Sequence, residues 1–465
     1  MSRTLVERME VGHREVRGAP PDHPKLVAGW RRMLPLLVLL LASGCASNSM
    51  TPTGSLPAPT QPAPDASADL TPTRPLATVT ASDAWAKDLD FLDRQVREIH
   101  PDPWMNTPEA EWAARVTELK ASIPSMSRRD AVVAVTELVA LLDAHTGLFP
   151  EENGFEFYAL KTYEFADGTY VVAAEDPTLV SSRLDSIGGM PIEAVHAALT
   201  PLVNHDNDSS LRWLRDWYLS VAEYLQAKGI VAELDHPAFQ LTKPDGTKVS
   251  VDPRRAALED AFEGLPIIGG IAGDSLEFVR RGVAEEIWWR VEPDAKAFLL
   301  TYSNIGAPTA AALAAMDEAL DSGAADRVIF DMRLSGGGNF QTATPIIDAF
   351  TSDPRINRTG GLTVLISREN ASASNALAAT LDLSTKALLI GEPTPTGPNT
   401  IGGDRVVTLP NSGIKVHLPE YRILSQVFDD DRTAVTPDVA IDLTAADYFA
   451  GIDRVLQAAL AGAAD

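Results

Sequence analysis

The sequence predicts an α/β protein whose core is a parallel sheet, built as βαβαβ across residues 327–405. Two observations carry that fold. Three short apolar runs, Val328–Met332, Leu362–Ile366 and Ala387–Ile390, read as strands. Two stretches that can be helical, Phe340–Phe350 and Ala373–Leu383, alternate with them, and strands alternating with helices of that length imply parallel pairing. A third observation concerns the turns. The first strand-to-helix turn ends in Gly336-Gly337-Gly338, and the second presents Ser372 just as its helix begins. A serine at the mouth of a helix, facing a loop of bare backbone N–H groups, is the pattern of a nucleophile with an oxyanion hole.

At 465 residues the chain is long enough for two or three domains, and 45% hydrophobic residues mark it as globular. Its net charge of −25 argues against a nucleic-acid partner, because duplex affinity is built mainly from Lys and Arg on phosphates. One cysteine, Cys45, excludes intramolecular disulfides and cysteine metal clusters. No metal-ligand spacing or phosphate loop stands out, so no metal and no cofactor are expected.

The N-terminal 1–45 read as a secretory signal: Arg31-Arg32, then the apolar run from Met33 to Ala42, then Ser43-Gly44-Cys45. The run is too short to span a bilayer. It resembles a bacterial lipoprotein signal with Cys45 as the lipidated residue, departing from the usual pattern in having Ala42 where leucine is favoured. Removing residues 1–44 takes away seven Lys/Arg against four Asp/Glu and moves the net charge from −25 to −28. Residues 46–81 hold seven prolines among small and polar residues, and such a segment is expected to be a disordered tether. Lipid and tether together would hold the folded part at a membrane of the bacterial cell envelope.

Residues 82–150 are expected to form an N-terminal helical domain. Trp85, Leu89, Leu92 and Val96 share one face, and Val132, Val135, Val139 and Leu142 another. Ser127 with Asp130 resembles a capping box, and Gly147 is the expected stop, which leaves His145 in the turn beyond a buried helix. Residues 151–296 form a mixed α+β region: strands at Phe157–Phe165 and Tyr170–Ala174, a helix from Leu211 to Lys228 closed by Gly229, and a hairpin around Lys243–Gly246. Residues 297–465 complete the chain with a strand at Phe298–Tyr302, a helix over Pro308–Leu320, the βαβαβ unit, strands at Val406–Leu409 and Ile414–Leu418, and a last helix from about Ala445.

Four pieces, Asp331-Met-Arg-Leu-Ser-Gly-Gly-Gly-Asn339, Ala371-Ser-Ala-Ser-Asn375, Ile390-Gly-Glu-Pro-Thr394 and Asp143-Ala-His-Thr146, together resemble the S41 peptidases, the tail-specific (C-terminal processing) and tricorn-type serine proteases. The resemblance implies a ClpP/crotonase-like catalytic core over residues 297–465 and a serine peptidase acting on peptides or unfolded chains through an acyl-enzyme. One departure matters. The lysine of the family's Ser-Lys dyad carries over to Gly397. The tricorn-type branch instead uses an upstream histidine and a downstream acid, and the resemblance then implies a triad of Ser372, His145 and Asp431.

In those roles neutral imidazole would take the serine proton, the carboxylate would fix the ring, and N–H groups of Gly336 or Gly337 and of Ala373 would bind the oxyanion. Losing one such donor typically costs roughly 3–4 kcal/mol in the barrier. Ser374 competes with Ser372, Asp429, Asp430 and Asp438 compete with Asp431, and Arg333 reads as a structural ion-pair partner. A peptide-binding scaffold that lost turnover and an esterase-like serine hydrolase stand as alternatives.

Overall fold

The computed structural model describes residues 82–462, apart from 264–266, 269–270, 273–275, 279–280, 282–284 and 424–429. The signal at 1–45 with Cys45, and the tether at 46–81, lie outside the described residues.

Three helices come first: α1 (Ser82–Ile99), α2 (Glu109–Ser122) and α3 (Arg128–Val139). Their apolar faces are those expected, with Trp85, Leu89, Leu92 and Val96 of α1 buried against Val132, Val135 and Val139 of α3. Ser127 Oγ accepts the Asp130 N–H at 3.2 Å and caps α3. The helix ends at Val139 rather than at Gly147. Gly147 instead exchanges backbone hydrogen bonds with His417, donating at 3.1 Å and accepting at 2.8 Å, so long-range pairing fixes that turn.

The middle region is an antiparallel sheet in the order β1 (Leu160–Phe165), β2 (Gly168–Ala174), β3 (Arg183–Ile187), β4 (Phe239–Thr242) and β5 (Lys248–Val251), with Met190–Pro191 added at β3. The helix expected across Leu211–Lys228 is two, α4 (Asp208–Tyr218) and α5 (Ala222–Ala227). Ser220 O accepts from the Tyr158 N–H at 2.8 Å, and the Ala222 N–H donates to Glu156 O at 3.0 Å. Those bonds pull residues 219–221 into strand pairing and break the helix.

The second sheet has six strands in the order β6 (Ile287–Glu292), β7 (Ala297–Tyr302), β8 (Arg327–Asp331), β9 (Leu362–Ile366), β10 (Leu388–Gly391) and β13 (Val439–Ala440). From β7 onward every pairing is parallel, and β6 is an antiparallel edge. This sheet therefore begins at Ile287, ahead of the boundary expected at 297. The helices α6 (Ala310–Asp321), α7 (Thr344–Ser352) and α8 (Ala373–Ser384) cover one face, where Phe298, Leu300, Val328, Phe330, Val364 and Leu389 are buried. The alternate residues Leu299, Ile329, Leu365 and Ile390 meet Val455 and Ala459 of α9 (Arg454–Ala461) on the other. Such period-two alternation between two buried faces makes the strands read as continuous apolar runs, and each Phe or Leu so buried contributes about 1.5–3 kcal/mol.

A hairpin of β11 (Arg405–Thr408) and β12 (Lys415–Leu418) departs from the second sheet and returns to the first half of the chain. Its Val407, Leu409, Ile414, Val416 and Leu418 are buried in the core that also holds Trp85, Tyr158 and Phe239. The regions expected to divide at 150 therefore share one core, which the hairpin completes.

Candidate active site

Strands β8 and β9 are parallel neighbours, with Asp331 opposite Leu365. Their carboxyl ends open side by side, the place where α/β sheets build sites. The loop after β8 carries Gly336–Gly338, and the loop after β9 delivers Ser372.

Ser372 has φ 52 and ψ −126, a conformation that residues with a Cβ rarely adopt and that costs of order 1–3 kcal/mol. Strain of this kind at a strand-to-helix turn lifts a serine clear of the backbone. Ser372 is half-exposed and its hydroxyl makes no hydrogen bond, not even as a cap for α8. Ser374 is different: it is fully buried and its hydroxyl accepts from Asn370 Nδ2 at 3.1 Å. Burial sets the two serines apart: a nucleophile must be reachable, and only Ser372 is partly exposed.

Gly337 has φ +129, and a Cβ on it would stand 3.1 Å from Ser372 Cβ, 3.2 Å from Ala371 O and 3.5 Å from Ala373 N. Only glycine lets the loop come this close. Among the described residues, the N–H groups of Gly336, Gly337, Gly338 and Ala373 donate to nothing. Unused donors on Gly337 and Ala373, beside a partly exposed hydroxyl, are what an oxyanion requires.

Asn370, unremarked in the sequence reading, holds the two loops together. Completely buried, it donates from Nδ2 to Met332 O and Ser335 O on the glycine loop and to Ser374 Oγ, while its Oδ1 accepts the Ser367 N–H at 2.7 Å. The glycine loop is also held from below. Arg333, buried beside the Phe278 ring, bridges Asp331 at 2.7 Å and Asp453 at 2.8 Å, the structural ion pair expected of it. Arg368, four residues before the serine, reaches out of the sheet to Tyr163 Oη at 3.1 Å and Glu164 O at 2.6 Å on β1.

His145 sits in a turn organised by Asp143. The buried Asp143 carboxylate accepts the N–H of His145 at 2.7 Å and of Thr146 at 3.0 Å, the Thr146 hydroxyl at 2.6 Å, and His100 Nε2 at 2.7 Å. Burial alone would raise its pKa, but the His100 bond and charge, with Thr146, overcome it and hold the carboxyl below its ordinary value. Asp206, which accepts the Ala144 N–H at 3.0 Å, is pushed the other way, by burial first and then by the Asp143 charge. The His145 ring itself is free: Nδ1 and Nε2 are buried and neither has a hydrogen-bond partner.

Asp431 is exposed and makes no hydrogen bond, so it does not hold the His145 ring in this structure. Its neighbour Asp430 is taken by Arg432 at 2.7 Å, which also pairs with Asp382 at 2.8 Å. This segment does explain Gly397. A Cβ there would stand 2.1 Å from Arg432 O, so the position that would carry a dyad lysine is closed to any side chain. Asn375 of α8 donates to Gly397 O, and Asn207 donates to Thr433 O at 2.7 Å and Thr394 O at 3.1 Å. Through these contacts the Asp206–Asn207 turn beside His145 is joined to the segment packed against the serine's helix.

Among the described residues, no group of three or more His, Cys, Asp and Glu could hold a metal ion, and no helix is long and apolar enough to cross a membrane.

No protein-family model matches the chain, and no curated protein matches its sequence. Solved structures do share its fold. Mature CPAF complexed with lactacystin superposes with a TM-score of 0.58 at 13% identity, over 82% of this chain and 98% of CPAF. A second structure of mature CPAF gives 0.57 at 13%, over 83% of this chain and 99% of that one. A photosystem II D1 C-terminal processing protease follows with a TM-score of 0.39 at 18% identity, over 76% of this chain and 93% of that one.

Proposed function

We propose that this chain is a serine peptidase of the S41 type, hydrolysing peptide bonds through an acyl-enzyme on Ser372. The observation that carries the reading is the strained, partly exposed Ser372 held against Gly337, with the N–H groups of Gly337 and Ala373 unused among the described residues. Ser372 Oγ attacks the carbonyl carbon and passes its proton to His145. The tetrahedral oxyanion collects the free donors. The C–N bond then breaks, His145 protonates the leaving amine, and water repeats the sequence on the ester. His145 is the base because its ring nitrogens are uncommitted and Gly397 leaves no place for a lysine. Asp431 is proposed as the acid on the resemblance and on the packing of residues 432–433 beside Gly397; reaching the ring requires its exposed loop to fold inward as substrate binds, since catalytic hydrogen bonds commonly tighten only in the complex.

One observation favours a second reading, a peptide-binding scaffold without turnover: neither the Ser372 hydroxyl nor the His145 ring has a hydrogen bond. A fluorophosphonate probe separates the two. The peptidase reading expects labelling of the wild type, none of Ser372→Ala, and slow labelling of His145→Ala and Asp431→Ala. An unlabelled wild type, or equal labelling of Ser372→Ala, would rule it out. Anchoring at the cell envelope through Cys45 is proposed from residues 31–45 alone; wild type and Cys45→Ser partitioning equally between detergent and water would end it.

A further inference from the structure

A cavity of about 130 Å³ lies beside His145. Its walls are apolar: Leu148 and Phe149 from the segment after His145, and Trp213, Leu214 and Trp217 from α4. An enclosed apolar space of ~150 Å³ holds a benzene ring, so this one has room for a single leucyl or phenyl group.

Two features separate it from a packing defect. A defect in a core is surrounded by atoms that need nothing further. Here the buried Trp213 indole N–H and both His145 ring nitrogens have no partner, although a buried polar group left unpaired is costly. The polar edge is built as well, with Asn204, Asp404 and His417 among the lining residues. Apolar walls with a few convergent polar groups are the make-up of a ligand site. A polypeptide supplies both halves of what is missing: an apolar side chain for the cavity, and backbone groups for the unpaired nitrogen atoms.

We propose that this cavity is a specificity subsite that receives one leucine- or phenylalanine-sized side chain of the polypeptide substrate. The assignment rests on the peptidase reading for its meaning, since His145 is then both base and wall. The same wall ties choice of substrate to placement of the base, because a side chain that fills the cavity packs directly against the His145 turn.

The test uses the full chain with Ser372→Ala, so that binding is read without turnover. Short Gly/Ala peptides carrying one variable residue, moved through each position in turn, are titrated calorimetrically. At one position Leu or Phe should bind on the order of 10-fold or more tighter than Ala, and Asp should bind no better than Ala beside the acidic edge. Adding Leu214→Trp places a second ring in the cavity and should bring the Phe-to-Ala ratio towards one. Leu214→Ala, which enlarges the space, should weaken Leu more than Phe; because Leu214 is half-buried, at least one of the two is expected to fold, checked by circular dichroism. Trp217 is left intact because Lys161 Nζ lies 3.7 Å from the centre of its ring. Equal affinity for Ala, Leu and Phe at every position, or a preference that survives both Leu214 variants, would overturn the subsite. Fluorophosphonate labelling of the wild type is read separately. Labelling without side-chain discrimination removes the subsite alone, and discrimination without labelling removes the peptidase reading while the cavity stands as a binding site.

Discussion

The serine half and the histidine half of the site are built by different means. The serine half lies within one short reach of chain, Asp331 to Asn375, and is made of backbone: a strained serine, three glycines, and Asn370 stapling the two loops through main-chain carbonyls. The histidine half is held mainly by buried carboxylates, with the His145 N–H on Asp143, Asp143 on His100 and the Ala144 N–H on Asp206, and by long-range backbone pairing of Gly147 with His417. Backbone geometry sets where an oxyanion could sit. Buried polar contacts set where His145 stands. Damage to the first should therefore be read in rate, and damage to the second in stability before rate.

Asp143→Ala is the largest expected break. It removes a carboxylate that serves two backbone N–H groups, Thr146 and His100, and leaves them unpaired in the interior. Breaking a buried pair from one side costs about 3–5 kcal/mol, which for a protein of this size lowers Tm by roughly 5 °C. Scanning calorimetry should show that loss. An unchanged Tm would mean that the histidine half does not depend on its carboxylate.

Gly337→Ala should do the reverse. The added methyl meets Ser372 Cβ at 3.1 Å and the φ of +129 is unfavourable for alanine, so the loop must shift away from the serine. Loss of a well-placed oxyanion donor lowers kcat roughly 10²- to 10³-fold, while Tm should fall by only about 1–2 °C. A variant with full kcat and a collapsed Tm would invert the comparison between the halves.

The same contrast explains what could be read beforehand. The strands β8, β9 and β10 and the helix α8 announced themselves because both sheet faces are buried, so their apolar runs are continuous and flanked by glycine and serine turns. Gly336, Gly337 and Ser372 followed from residue type and place alone. Asn370 did not, because an asparagine that bonds mainly to the main chain leaves no pattern in sequence. His145 was legible only by resemblance, although Asp143 two residues before it, in the form of an Asx turn, was an available signal. The break between α4 and α5 and the pairing of Gly147 with His417 are tertiary facts that periodicity cannot carry. Asp431, placed by the resemblance at the acidic position before Pro437-Asp438, stands in solvent, because an acidic run gives no indication of which member turns inward.

The smallest effect is expected where the histidine half is closed by the β11–β12 hairpin. His417, buried there, bonds Asp404 Oδ1 from Nδ1 at 2.6 Å and Glu152 Oε2 from Nε2 at 3.0 Å, with the Phe149 ring centre 4.1 Å away and Lys415 Nζ 3.9 Å from Glu152. Burial would depress its pKa, but the two carboxylates outweigh it and hold the imidazole above its ordinary 6.5. The folded state then binds the proton more tightly than the unfolded chain. The stability this contributes is full below pH 6.5 and is lost as pH rises through the elevated folded value. His417→Gln should accordingly cost roughly 1–2 kcal/mol at pH 6, the worth of a charge-assisted hydrogen bond, and progressively less towards pH 9. Paired thermal unfolding of wild type and variant across that range reads the difference directly. A constant gap would show that His417 acts as a neutral packing group. A narrowing gap, with the affinity for Leu peptides weakening in step in the Ser372→Ala protein, would show that the charge on His417 also holds the shape of the cavity it lines.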